Sequence, residues 1–191
     1  MHRSVMPALF AAAALFVAGL AVAEDARLRR FELPNLDTLE LTLPPGWVEA
    51  AEAAPAGEQP LTIEFAPVEG PDFRAFVTPR WSDPNEPSVV DADALRAEVQ
   101  QGAEQIRPQA VEEDIEIRRL QGESGVGFYF SATDRAPQPE EYRYMTQGAL
   151  QTGDLVLWFT FLTNDGQEAV VAEGLAMLQS AVHRATGLDQ R

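Results

Sequence analysis

Cysteine and lysine are missing from the 191 residues, and histidine occurs only twice. Without cysteine there is no disulfide, no thiolate nucleophile, no iron–sulfur cluster and no cysteine-ligated zinc. Without lysine there is no lysine Schiff base and no Walker-type phosphate lysine. Positive charge is scarce. Fourteen basic residues, all arginine, stand against 30 acidic ones, for a net charge of −16. That balance repels phosphate backbones and excludes a primary nucleic-acid binder. It also favours solubility and disfavours anionic membrane surfaces.

The longest apolar run is N-terminal. His2 and Arg3 precede Ala8 to Ala23, Ala21-Val22-Ala23 provides an A-x-A site, and Glu24-Asp25 follow at once. This layout predicts a secretory signal peptide over residues 1–23, cleaved after Ala23. The run is shorter than the roughly 17–25 residues a spanning helix needs, so no membrane span remains after cleavage. No cysteine follows the site, which excludes a lipid anchor. Export without cysteine suits a periplasmic or secreted protein. Residues 24–191 then form one globular domain.

Apolar periodicity divides that domain. Residues 24–38 read as a polar lead-in. Leu39, Leu41 and Leu43 alternate with polar residues and predict a strand ended by Pro44-Pro45-Gly46, with Trp47 next. Residues 50–60, rich in Ala, Glu and Pro, read as a surface loop. Leu61-Ile63-Phe65 and Phe73 to Val77 predict two strands stopping at Pro67 and Pro79 and joined as a hairpin through Gly70-Pro71. Arg80 to Pro87 reads as a loop. Ser88 with Asp91 forms a capping box for a helix carrying Leu95, Val99, Gly102 and Ile106 and stopped by Pro108. Strands are then expected around Ile115–Ile117, at Val126–Phe130, at Tyr142–Leu150 and at Leu155–Leu162. The last of these is apolar on both faces and should be central and doubly covered. Asp165 with Glu168 forms a second capping box, and Val171, Leu175, Leu178 and Val182 mark one face of a closing helix. Short hairpin links predict antiparallel pairing. The fold class is α+β, an antiparallel sheet of about seven strands with helices packed on it.

Chemistry-bearing patterns are few. Once the signal is removed, a Ser-His-Asp triad would have to use His183, which reads as a surface residue near the end of the last helix, where a cation is favoured. H-E-x-x-H, G-x-S-x-G and G-x-G-x-x-G in its strand–helix context do not occur. Gly125-Val126-Gly127 reads as a tight turn entering a strand. Glu112, Glu113, Asp114 and Glu116 offer oxygen ligands for a hard cation, without EF-hand spacing, and read as a solvated edge. A carboxylate pair for glycoside hydrolysis depends on spatial rather than sequence proximity and stays open. The remaining candidates are loop residues that combine arginine with aromatics: Arg80 and Trp81, and Arg135, Tyr142 and Arg143 around the Asp134–Arg143 loop. These are the ligand- or partner-binding candidates. No catalytic residue, metal site or cofactor is assigned.

Leu39–Leu43 followed by Pro44-Pro45-Gly46-Trp47 resembles the opening strand and Pro-x-Gly-Trp turn of the PsbP-like superfamily, which includes the photosystem II extrinsic protein PsbP and the Ran-binding nuclear import factor of yeast. Gly127-Phe128-Tyr129-Phe130 and the closing Leu178-Gln179-Ser180-Ala181 fit the same layout, so the resemblance covers about residues 31–185. It implies an α/β/α sandwich and a mainly non-enzymatic accessory or binding role. It carries over no functional residue, and the photosystem role does not follow from a shared fold. The expected function is an exported, non-enzymatic binding protein for a small ligand or another envelope protein. The alternatives are a carboxylate-based glycan hydrolase and a divalent-cation-binding protein.

Overall fold

The computed structural model describes residues 25–33, 37–52, 61–70, 72–81 and 90–185. The expected leader at 1–23 and the expected cap Ser88 lie outside them. The described strands are β1 (Arg27–Glu32), β2 (Thr38–Leu43), β3 (Trp47–Glu52), β4 (Thr62–Pro67), β5 (Arg74–Trp81), β6 (Arg118–Gln121), β7 (Val126–Thr133), β8 (Tyr144–Thr152), β9 (Leu155–Thr163) and β10 (Val182–Arg184). The helices are α1 (Ala92–Ile106) and α2 (Glu168–Gln179). Seven strands form one sheet in the order β3-β4-β5-β9-β8-β7-β6, and a smaller sheet runs β1-β2-β10. Every pairing is antiparallel. The α+β architecture with a seven-stranded antiparallel sheet is present as expected, and the three-stranded sheet is an addition to it.

The chain reaches this order by one crossover. α1 carries it from β5 to the far edge at β6, and β7, β8 and β9 then return as a meander. β9 thereby inserts beside β5 and becomes the central strand, as its apolar sequence requires. Leu157, Phe159 and Phe161 point from it into the main core, which also holds Leu39, Leu41, Leu43, Trp47 and Phe65. Burying each such side chain contributes roughly 1.5–3 kcal/mol. On the other face of the sheet, α1 sets Leu95, Val99 and Ala103 against Phe128 and Phe130. α1 packs chiefly on β7, so Trp158, Thr160 and Leu162 of β9 stay only half-buried. The expectation of full cover on both faces of β9 is corrected accordingly.

Other boundaries move for identifiable reasons. β1 lies where a lead-in was expected. Its sequence does not alternate, because its exposed arginines answer acids rather than a core. Arg30 Nε is 2.8 Å from Glu40, and Arg29 pairs with Glu49. β3 occupies the start of the expected 50–60 loop and pairs with β4 through Pro67. β5 continues past Pro79 to Trp81. Its pairing with β4 ends at Val77, so the missing N–H of Pro79 interrupts no ladder on that side. β6 starts at Arg118, and Ile115 and Ile117 pack on the smaller core from irregular chain. The cap of α1 is Asp91, whose carboxylate accepts from Asp93 N at 3.4 Å. α2 has Gln167 at its N-cap position with no side-chain capping bond, and its buried positions are Val170, Gly174, Met177 and Leu178. Val182 belongs to β10.

Candidate functional site

α2 crosses the sheet unevenly. At Gly174 it sits tightly on β9, since a Cβ there would lie 2.9 Å from the Phe161 ring. Leu178 and Met177 bury on the same side. Toward β7 and β8 the sheet face drops away at Ser131 and Thr146, whose side chains are small. Gly148 lies outside that depression: the Phe159 ring and Tyr129 close over it, and a Cβ there would lie 2.8 Å from the ring and 2.6 Å from the Tyr129 Cβ. Between the low floor and the helix lies a cavity of about 380 Å³.

Its floor combines apolar and hydrogen-bonding groups. Ser131 and Thr146 lie opposite each other and their hydroxyls are 2.9 Å apart. Tyr129 and Tyr144 stand on the same face, and Val171, Ala172 and Leu175 of α2 form the wall. One end is basic. Arg118, across from Tyr129 in the β6–β7 register, donates from Nε to Glu116 at 3.0 Å. That bond, with a further one to the Tyr129 hydroxyl, outweighs burial and holds its guanidinium even more firmly charged than usual. The other end is acidic and carries Glu168. There the Tyr144 hydroxyl donates to Asp165, and this bond raises the Tyr144 pKa.

The sequence candidates fall at two opposite ends of the sheet. Tyr142, Arg143 and Arg135 gather around the start of β8. The Tyr142 hydroxyl donates to Asp72 at 2.6 Å, and burial followed by that bond raises its pKa. Arg143 lies 3.6 Å from Asp165 and 5.8 Å from the Tyr144 ring centre. Arg135 is structural, donating to the Ala110 carbonyl at 2.7 Å. Arg80 and Trp81 lie at the far end of β5, opposite Val156 and Leu155. Arg80 stacks 5.3 Å from the Trp158 ring, and Trp81 packs against the main core. Neither group lines the groove: Tyr142 and Arg143 line a separate cavity of about 180 Å³ at the end of α1, and Arg143 reaches the groove's acidic end only through Asp165 and the Tyr144 ring. Ser131, Thr146 and Tyr129 were missed, because in sequence they are ordinary residues of an alternating strand.

Three further expectations are corrected. His183 is neither on a helix nor exposed. It lies on β10 with a side chain 3% exposed, its Nε2 3.2 Å from Asp37 and its Nδ1 accepting from Asp154 N at 3.4 Å. Asp165 does not cap α2 and is engaged by Tyr144 and Arg143 instead. The acidic run lies on irregular chain rather than on a strand; Glu113, Asp114 and Glu116 are exposed as expected, and only Glu112 is half-buried. Burial pushes the Glu112 carboxyl up, but hydrogen bonds from the Thr133 hydroxyl at 2.6 Å and backbone N–H at 2.9 Å outweigh it and hold it below the usual carboxylate range. Among the described residues, no group of three or more His, Asp and Glu is placed to hold a metal ion, and no helix is long and apolar enough to cross a membrane.

The fold is similar to that of a cyanobacterial PsbP. The solution structure of cyanobacterial PsbP (CyanoP) from Synechocystis sp. PCC 6803 aligns with 84% of this chain and 92% of its own, at 12% identity and a TM-score of 0.45. No family model and no curated protein matches the chain.

Proposed function

We propose that this chain is an exported, non-catalytic accessory protein, one domain behind a cleaved leader, that binds a small amphipathic ligand in the groove beneath α2. The observation that carries the reading is the groove itself: two tyrosines and a helix wall around a pair of hydroxyls, with opposite charge at its two ends. Concave sites of this size, largely apolar with a few convergent polar groups, are the usual form of ligand pockets. A larger cleft of about 650 Å³ lies beside Trp47, but there Glu173 is occupied by the Trp47 indole N–H at 3.2 Å and much of the lining is turn. His183 is spent on holding β10 in place, which supports a binding role over a histidine-dependent one.

The test uses 8-anilinonaphthalene-1-sulfonate, a flat aromatic anion, titrated by fluorescence into the folded protein. Wild type is expected to bind it saturably at one site. Ser131→Trp, which fills the groove from an exposed floor position, should abolish that binding, and Ser131→Ala should keep it. Equal binding by wild type and Ser131→Trp would falsify the assignment.

A further inference from the structure

The two ends of the groove differ in sign, and the strand register gives their separation. Arg118 lies across from Tyr129, and Tyr144 lies across from Thr133, four residues further along β7. Arg118 on β6 and Tyr144 on β8 are also two strands apart, so at about 3.3 Å per residue and about 4.8 Å per strand the basic and acidic ends are roughly 16 Å apart across the floor. Arg118 uses Nε on Glu116, and its fork offers further donors toward the groove. At the opposite end Glu168 opens the first turn of α2 and lines the groove; Asp165 there is matched by Arg143 at 3.6 Å, which leaves that end net acidic. Between the ends lie the hydroxyls of Ser131 and Thr146, with the Asn164 amide at the acidic end.

We propose that the groove takes a short peptide with free termini, about five residues long and extended, with its carboxylate on Arg118 and its ammonium group toward Glu168. This rests on the groove being the binding site. Four features fit a peptide. Its length matches the separation of the charges, since five extended residues span about 17 Å. A carboxylate matches the guanidinium fork. The hydroxyl and amide row serves backbone N–H and C=O groups, which need partners once they leave water. The apolar wall of Val171 and Leu175 takes aliphatic side chains without selecting among them closely. A ligand carrying only negative charge has a partner in Arg118 and none at Glu168. A zwitterion matches both ends.

The experiment is calorimetric titration with Ala-Leu-Leu-Leu-Ala in three forms: free termini, N-acetylated and C-amidated. The free peptide should bind wild type and fail to bind Ser131→Trp. Acetylation should weaken binding to wild type about tenfold, the loss of one charge-assisted contact, and should make no difference in Glu168→Gln. Amidation should behave in the same way, with the difference lost in Arg118→Gln. Both substituted residues are exposed, so the fold survives. Three peptides binding alike, or binding that survives Ser131→Trp, overturns the proposal. So does a failure of all three peptides to bind. If anilinonaphthalenesulfonate still titrates into wild type and not Ser131→Trp, that failure removes the peptide and leaves the groove. If it too fails, the groove reading falls with the peptide.

Discussion

His183 Nε2 lies 3.2 Å from Asp37 Oδ2, and the two residues are 146 positions apart in the chain. The pair ties β10 to the approach to β2, while His183 Nδ1 accepts from Asp154 in the β8–β9 turn. One buried imidazole therefore joins the small sheet to the large one. His183→Ala should destabilise the protein by about 2 kcal/mol, since it opens a cavity and leaves polar partners unpaired. Urea unfolding measures this. A change within 0.5 kcal/mol would show that the link is idle.

Gly174 fixes the height of α2 above the sheet. Gly174→Ala places a methyl group about 2.9 Å from the Phe161 ring. The helix gains up to about 1 kcal/mol of propensity, but overpacking costs about 1–3 kcal/mol. The expected result is a net loss of stability and a shifted helix, read as a lower urea midpoint together with altered dye affinity. A stabilised protein with unchanged dye binding would contradict the packing described for α2.

Trp81 separates a core role from a recognition role. Its ring packs against the main core at the end of the sheet away from the groove. Trp81→Ala should therefore lower stability by about 2 kcal/mol or more and leave ligand affinity unchanged at temperatures where the protein is folded. Loss of binding at intact stability would move the site to that end.

Acid should weaken the fold through Glu40 and Glu112. Hydrogen bonds from Arg30 hold Glu40 below the usual carboxylate range, and Arg184 adds to this against burial. Glu112 is held below it by Thr133 once burial is outweighed. A depressed folded-state pKa means that the unfolded chain binds protons more readily. The stabilisation is complete above the ordinary Glu value of about 4.3 and is lost as pH falls through the folded values. The melting temperature should drop below pH 4.3, and Glu40→Gln with Glu112→Gln should make that drop shallower. An unchanged acid limb would contradict the pairing.

Much of the sheet was legible because period 2 survives wherever one face is buried. Leu39–Leu43, Ile63–Phe65 and Val126–Phe130 all read correctly, and the unbroken apolar run at Leu155–Leu162 marked the centre of the sheet. The legible features fail where a strand is stabilised by something other than a core. β1 is held by Arg–Glu pairs, and β5 passes through Pro79 because its neighbour has already ended. The end of α2 was misplaced because Val182 keeps the helical spacing although the chain has already turned at Ser180. There the Ser180 hydroxyl donates to the Met177 carbonyl at 2.6 Å and accepts from Thr42 N at 2.9 Å. The groove was illegible for a different reason. It is made by small residues, Ser131 and Thr146, whose significance lies in what they leave empty beneath a helix some 20–40 positions away.

The central claim is that ligand binds beneath α2. Amide chemical-shift mapping during titration with anilinonaphthalenesulfonate tests it most directly. The account predicts shifts concentrated on Tyr129 to Ser131, Tyr144 to Thr146 and the first two turns of α2. Shifts centred instead on the Pro44–Val48 turn, or on Arg80 and Trp158, would contradict it.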